Sequence, residues 1–264
     1  MNKKRIDLLL VERGLVESRN RAQRLVMAGE VRADGEMVHK SSALVAEDAD
    51  IQIKQKPKFV SRGGKKLEAA IRAFEVEVVG KICADVGAST GGFTDCLLQN
   101  GAEKVYAIDV GYGVLHWQIR QDARVVVMER TNARYLETLP EPIQLVTIDA
   151  SFISLSLILP AVKGWFDEQD GQVIALIKPQ FEAGRKAAAL HAGVIKDETV
   201  HERVLIETLN SALDLGFQPK GLIPSPIRGP KGNVEFLVDL RLKDTIHPPK
   251  ISTMVQQALE DKPG

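Results

Sequence analysis

Apolar positions at the start of the chain recur at helical spacing. Ile6, Leu9 and Leu10 share a face with Arg13, and Gly14 ends the run. Ser18 is placed to cap a second helix through Ala28, with Gly29 as its stop. The stretch 31–38 then reads as a hairpin turning at Asp34-Gly35, and Ile51 and Ile53 add a short alternating strand. Residues 1–53 are thus predicted to be two helices followed by a small sheet. Residues 54–60, opening with the charged, proline-containing run Lys54 to Lys58, read as a linker. From Phe59 onward the pattern changes. Short apolar runs at 82–84, 105–108, 125–128, 145–148 and 173–177 alternate with helical patterns, which predicts a parallel sheet covered on both faces. Between Gly216 and Leu240 two further β-like runs, 222–223 and 234–240, predict an antiparallel pair at one edge. This α/β unit is expected over 61–245, with 246–264 as a C-terminal tail.

Composition narrows the class. The chain has 264 residues, 44% hydrophobic and 27% charged, which excludes disorder, collagen and coiled coil as overall descriptions. Two cysteines, Cys83 and Cys96, cannot make a disulfide framework, and point to a reducing, cytoplasmic setting. The apolar run after the basic start, Leu8 to Val11, is too short for a secretory signal core. The window 143–162 is interrupted by Asp149 and Pro160, so no membrane span is expected. Net charge is zero, yet residues 1–24 carry seven basic and three acidic side chains. A basic front end suits a polyanion partner, and equally a solvated surface. On the second helix Arg21 and Arg24 are three apart and share a face.

Two strand ends carry the first chemical signal. The string Asp85-Val86-Gly87-Ala88-Ser89-Thr90-Gly91-Gly92-Phe93 follows a predicted strand and opens a helix. Its small residues allow close approach to a ligand, and the helix start offers free N–H donors. It is neither a dinucleotide fingerprint nor a phosphate loop. Asp109 ends the next strand, where a carboxylate can accept from both hydroxyls of a ribose. The pair fits a dinucleotide or S-adenosylmethionine. Asp149 ends the fourth strand and Lys178 the fifth, at the edge of an open sheet where ligands bind. The proline after Lys178 argues for a fixed direction into the cleft. Lys66, at the start of a helix, and Glu235, in the last β-run, carry no signal of their own.

Residues 1–53 resemble the S4-like RNA-binding domain, through Arg5-Ile6-Asp7, Arg13-Gly14-Leu15, Ser18-Arg19, Ala22, Gly29, Val31 and Asp34-Gly35. That resemblance implies phosphate contact by Arg19, Arg21 and Arg24; Arg5, Arg62 and Lys65 join them as RNA-facing candidates. From Phe59 the chain resembles the FtsJ-type ribose 2′-O-methyltransferases, and with its front end the TlyA (hemolysin A) family of ribosomal RNA methyltransferases. The strings are Ser61-Arg62-Gly63-Gly64-Lys65-Lys66-Leu67, 85–94, Asp109-Val110-Gly111-Tyr112-Gly113, 129–134, Ser151-Phe152-Ile153-Ser154-Leu155, Lys178-Pro179-Gln180-Phe181-Glu182 and 229–235. The resemblance implies a Rossmann-like, S-adenosylmethionine-dependent methyltransferase fold with a mostly parallel seven-stranded sheet. It puts a catalytic Lys-Asp-Lys-Glu tetrad on Lys66, Asp149, Lys178 and Glu235, with Lys66 preferred to Lys65 because it directly precedes Leu67. It implies cofactor binding by Asp85, Gly87, Ala88, Ser89, Thr90, Gly91, Gly92, Phe93, Asp109, Asn132 and Asp149. The implied substrate is a cytidine ribose of 16S and/or 23S ribosomal RNA at the subunit interface, free or within a subunit, with no DNA or membrane partner.

The residue types agree with that chemistry. A ribose 2′-hydroxyl is a poor nucleophile that must be aligned and must lose its proton. Alignment can supply ~7–11 kcal/mol of a barrier, and a positioned base ~10²–10⁴-fold. Lys178 is the candidate base, Lys66 the second cation holding the hydroxyl, and Asp149 and Glu235 orient the two lysines. No metal is needed. His39, His116, His191, His201 and His247 show no metal spacing with the cysteines, which read as packing residues. Trp117 suits either the adenine pocket or the core. A membrane-active hemolysin is disfavoured by the lack of a spanning segment. A non-catalytic RNA-binding assembly factor is disfavoured by the filled tetrad, and a nicotinamide enzyme by the missing fingerprint. Asp149-Ala150-Ser151-Phe152 replaces the Asn/Asp-Pro-Pro-aromatic string of base N-methylation, which favours an oxygen target.

Overall fold

The structure, a computed structural model, describes residues 2–54, 57–167, 171–183, 194–242 and 250–262. Gln55 and Lys56 of the expected linker, and His191 and His247, lie outside the described residues. The chain divides into two compact units, Met1–Lys58 and Phe59–Gly264.

The first unit holds β1 (Lys3–Arg5), α1 (Ile6–Glu12), α2 (Arg19–Met27), β2 (Val31–Ala33), β3 (Glu36–Met37), β4 (Leu44–Ala46) and β5 (Ile51–Ile53). Ser18 caps α2, its Oγ accepting from the Arg21 amide at 3.3 Å. β2 and β3 pair Arg32 with Met37 and Ala33 with Glu36. Asp34 and Gly35 at the turn both take positive φ, 51° and 81°, as a two-residue hairpin loop of this hand requires. β5 covers the other edge of β2. The antiparallel pairing of β1 with β4 had no sequence signal, because a three-residue strand is too short to show a period. Ile6, Leu10, Ala22, Val26 and Val31 form the core.

Asp7 is fully buried at the centre of this unit. Its carboxylate accepts from Arg5 Nε (3.0 Å) and Nη2 (2.9 Å), Arg19 Nε (2.9 Å) and Gln23 Nε2 (3.1 Å). The Arg5 hydrogen bonds, helped by Gln23 and Arg19, hold it well below the usual carboxylate range. Arg5 and Arg19, expected on an RNA face, are therefore engaged by an internal anion. Arg21 and Arg24 are exposed, with no side-chain partner among the described residues.

The second unit is a seven-stranded sheet of β6 (Ile82–Val86), β7 (Lys104–Ile108), β8 (Val125–Met128), β9 (Leu145–Ile148), β10 (Gly171–Ile177), β11 (Phe217–Pro224) and β12 (Phe236–Leu242). Their order is β11-β12-β10-β9-β6-β7-β8, with β12 antiparallel between β10 and β11 and the other pairings parallel. Alternate residues of the strands feed two cores. Cys83, Val105, Leu145, Ile174 and Leu237 pack with α3 (Gly63–Ala73) and α4 (Gly92–Gln99). Ala84, Tyr106, Val146, Ala175 and Val238 pack with α6 (Leu159–Lys163), α8 (Glu198–Asp214) and α9 (Ile251–Glu260). Burial on both faces is why the strands read as unbroken apolar runs. Two short helices, α5 (Trp117–Arg120) and α7 (Pro179–Glu182), complete the unit.

Three expectations are corrected. The closing segment, expected as a tail, contains α9, whose Met254, Val255 and Ala258 are buried in the core. Glu235, expected within the last strand, lies just ahead of β12 and is buried. Trp117 is 62% exposed, which removes it from the core. Cys83 and Cys96 are buried and not joined in a disulfide, and burial pushes the Cys83 thiol up to about 12.

Candidate active site

β6 delivers the chain to Gly87, whose φ of 81° lies in the left-handed region. A Cβ there would stand 2.7 Å from the Asp149 carbonyl oxygen. Only glycine lets the loop after β6 close on the end of β9. Gly87 and Ala88 amides donate to the Ile108 carbonyl at 2.9 and 3.2 Å, and the Asp149 amide donates to Val86 at 2.9 Å. The ends of β6, β7 and β9 are thereby fixed to one another. Asp109 at the end of β7 accepts from the Ser89 amide (2.8 Å) and the Gly111 amide (2.7 Å) and remains partly exposed.

Asp85, expected to touch the cofactor, points inward. It is fully buried, and its two oxygens accept from Thr94 Oγ1 (2.6 Å) and Thr147 Oγ1 (3.0 Å). Burial pushes its carboxyl up to about 6. It braces the loop from behind. Gly91 also faces away, toward Leu115 and Ile119. Asn132 caps a short 3-10 turn by accepting from the Arg134 amide at 3.1 Å, and is exposed.

The tetrad positions converge. Lys178 precedes α7, whose first residue is Pro179, so the backbone direction at the end of β10 is set. Its Nζ lies 2.5 Å from Asp149 Oδ1 and donates to Ser151 Oγ at 3.0 Å. Lys66, on α3, donates to Glu235 Oε2 at 2.6 Å. Lys66, Lys178 and Glu235 are buried, and Asp149 is partly exposed. Lys65, one position earlier, is exposed and does not line the cavity that Lys66 lines, so the geometry separates the two lysines. Buried charges of this kind persist only as pairs. All four residues line one cavity of about 900 Å³, together with Gly87, Ala88, Ser89, Thr90, Gly92 and Phe93. Arg62 stands exposed at its wall. Asp85, Gly91, Asp109, Asn132 and Lys65 are not part of that lining.

Sequence reasoning assigned no role to several other lining residues, among them Ser151, Phe152, Phe181, Arg228 and Lys231. Ser151 and Phe152 directly follow the Asp149 strand end, and Phe181 follows Lys178; adjacency to a strand-end charge was the usable signal. Phe152 is 89% exposed at φ 65°, and its ring centre lies 4.7 Å from that of Phe181. Left-handed backbone at a bulky residue is an outlier, and such strain collects at functional sites. The loop carrying it is clamped by Glu182, which accepts from Ser154 Oγ (2.6 Å) and the Leu155 amide (2.9 Å). Burial raises the Glu182 carboxyl above its ordinary value. Among the described residues no group of three His, Cys, Asp or Glu could hold a metal ion.

Residues 59–242 match the family model of FtsJ-like methyltransferases, and residues 4–51 match that of the S4 domain. The chain is 48% identical over 245 residues to the candidate rRNA methyltransferase YqxC of Bacillus subtilis, covering 90% of this chain and 85% of that one. It is 44% identical over 241 residues to the 16S/23S rRNA (cytidine-2′-O)-methyltransferase TlyA of Mycobacterium tuberculosis, covering 90% and 89%. A solved candidate hemolysin from Streptococcus thermophilus is 44% identical, with a TM-score of 0.72 over 99% of this chain and 97% of that one. With the model spanning the whole sheet and the relatives spanning both units, the chain belongs to the FtsJ-like methyltransferase family and carries an S4 domain ahead of its methyltransferase unit.

Proposed function

We propose that this protein is an S-adenosylmethionine-dependent methyltransferase acting on a ribose 2′-hydroxyl of ribosomal RNA, at a cytidine of the small or large subunit. The observation that carries the reading is the convergence of two lysine–carboxylate pairs, Lys66–Glu235 and Lys178–Asp149, beside the Gly87 loop. The relatives TlyA and YqxC, named as rRNA methyltransferases, support the substrate class.

The cradle fits the cofactor. The close approach at Gly87 leaves a surface of backbone and small side chains from Gly87 to Thr90, and the Asp109 carboxylate keeps lone pairs for a ribose. When bound, S-adenosylmethionine supplies an electrophilic methyl group. Everything else falls to the chain. Lys66 and Lys178 hold the 2′-oxygen from two sides, and Glu235 and Asp149 hold the lysines. Lys178 takes the hydroxyl proton. Fixing the oxygen in line with the methyl carbon removes ~7–11 kcal/mol in favourable cases. Phe152, exposed beside Phe181 at the cavity wall, offers a face on which the target base stacks once it leaves its own stack. In the S4 domain Arg21 and Arg24 supply phosphate contacts. An rRNA substrate places the work in the cytoplasm.

The test is ribose-methylation mapping of ribosomal RNA from cells with and without the protein. A cytidine 2′-O-methyl group that vanishes with the gene and returns with purified protein supports the reading. An unchanged map defeats it.

A further inference from the structure

Lys178 cannot act as a base while its ammonium donates to its neighbours, because an ammonium nitrogen has no lone pair. Its contacts among the described residues are the Asp149 carboxylate at 2.5 Å, the Asp149 carbonyl at 3.5 Å, the Ser151 hydroxyl at 3.0 Å and the Phe181 ring at 5.8 Å. The Asp149 carbonyl and the ring hold no exchangeable proton. Asp149 is the counter-charge of the lysine. Ser151 is the contact that can both accept and donate, and it is exposed while lining the cavity.

The loop makes Ser151 a fixed point. The Asp149 amide ties its start to β6 at 2.9 Å. Phe152 turns at φ 65°, and Ser154 and Leu155 are held by the Glu182 carboxylate. A surface serine tethered on both sides stays aimed at one partner.

We propose that Ser151 is a positioning residue and proton exit for Lys178, an inference that rests on the function proposed above. Before reaction, one Lys178 N–H proton passes to Ser151 Oγ while the Ser151 hydroxyl proton passes to water in the cavity. Lys178 is left as a neutral amine whose lone pair faces the ribose hydroxyl. The 2′-oxygen then forms its bond to the methyl carbon, and the methyl–sulfur electron pair stays on sulfur. The O–H bond breaks, and its proton goes to Lys178 Nζ. The same Ser151 path discharges that proton for the next turnover. No oxidant, reductant or metal takes part.

The experiment compares wild type, Ser151→Ala, Ser151→Thr and Lys178→Ala in methyl transfer to ribosomal RNA, with the KM for RNA and the Kd for S-adenosylmethionine measured on each. Ser151→Ala should lower kcat about tenfold or more, within the span of proton-transfer effects, with KM and Kd little changed. Ser151→Thr, which keeps the hydroxyl, should recover most of it. Small buffers such as imidazole, added at fixed pH, should raise the rate of Ser151→Ala and leave wild type unmoved. An active wild type, a dead Lys178→Ala and a Ser151→Ala of wild-type kcat would overturn the relay and spare the function. A loss in Ser151→Ala that neither threonine nor buffer restores would also overturn it. Failure of wild type to methylate ribosomal RNA would overturn the underlying reading instead.

Discussion

Lys66 and Glu235 stand 169 positions apart in the chain and meet at 2.6 Å inside the protein. The second Glu235 oxygen is buried without a hydrogen-bond partner among the described residues. It lies against Gly229, where a Cβ would overlap the carboxylate. The missing side chain at Gly229 is thus what allows Glu235 to reach the lysine. Gly229→Ala should displace the carboxylate and cost ~10²-fold in methyl transfer, as expected for a displacement of about 1 Å near the reacting atoms. Glu235→Gln should leave the Lys66 charge poorly paired and cost up to ~3–5 kcal/mol of stability, the range for one half of a broken buried pair. Thermal unfolding and activity assays read the two effects. Wild-type melting in Glu235→Gln would mean that the pair is open in solution.

Asp109 and Asp85 flank the same loop in opposite settings. Asp109 is partly exposed, whereas Asp85 is sealed behind two threonines. Asp109→Ala should weaken S-adenosylmethionine binding by ~1.5–3 kcal/mol, the worth of hydrogen bonds to a charged group. Asp85→Asn should change it little. Calorimetry on both variants decides, and equal losses would return Asp85 to the binding surface.

The buried Asp85 carboxyl also gives a pH signature. Its folded value of about 6 lies above the ordinary carboxylate value, so the fold binds its proton more tightly than the unfolded chain does. Its favourable contribution is present at about pH 4 and is lost as pH rises through about 6. Asp85→Asn cannot ionise. The variant's melting temperature relative to wild type should therefore climb between pH 4 and pH 7. A constant difference across that range would show that Asp85 ionisation is not coupled to folding.

The sheet was legible because its strands are apolar on both faces, and the caps at Ser18 and the turn at Asp34-Gly35 were legible because local geometry demands those residue types. Asp149 and Lys178 could be found from the sequence, since each ends an apolar run. Glu235 could not. It precedes its strand, and its partner lies on a distant helix, so only the folded chain brings the two together. Asp85 misled for a related reason: an acid at a strand end looks alike whether it faces ligand or core. The inward contacts of Thr94 and Thr147 come from a helix and another strand. In the first unit, Arg5 and Arg19 looked like phosphate ligands because one buried aspartate, Asp7, had no sequence mark of burial.

That last distinction divides the basic residues into two classes with separate outcomes. Charge reversal at Arg21 and Arg24 should weaken ribosomal RNA binding and reduce the salt slope by about one for each phosphate no longer neutralised, with melting unchanged. Asp7→Asn should instead lower stability, since it withdraws the anion from two arginines. Salt titrations of RNA binding alongside thermal melts separate these. RNA affinity that ignores Arg21 and Arg24 would take that helix face out of recognition.

Lys178 offers the sharpest division between charge and proton transfer. It sits beside Asp149 and Ser151 in the cavity that Gly87, Ala88, Ser89 and Thr90 also line. Arginine keeps a positive charge and can still hold an oxygen, but it cannot be deprotonated in a protein. Lys178→Arg and Lys178→Ala should both fold and bind S-adenosylmethionine. Both should lose methyl transfer by ~10²-fold or more, the usual loss of a positioned base. Wild-type activity in Lys178→Arg would show that charge suffices and that water or another group removes the proton. Wild-type activity in Lys178→Ala would remove Lys178 from the reaction, leaving Lys66 and Glu235 as the pair that acts on the hydroxyl.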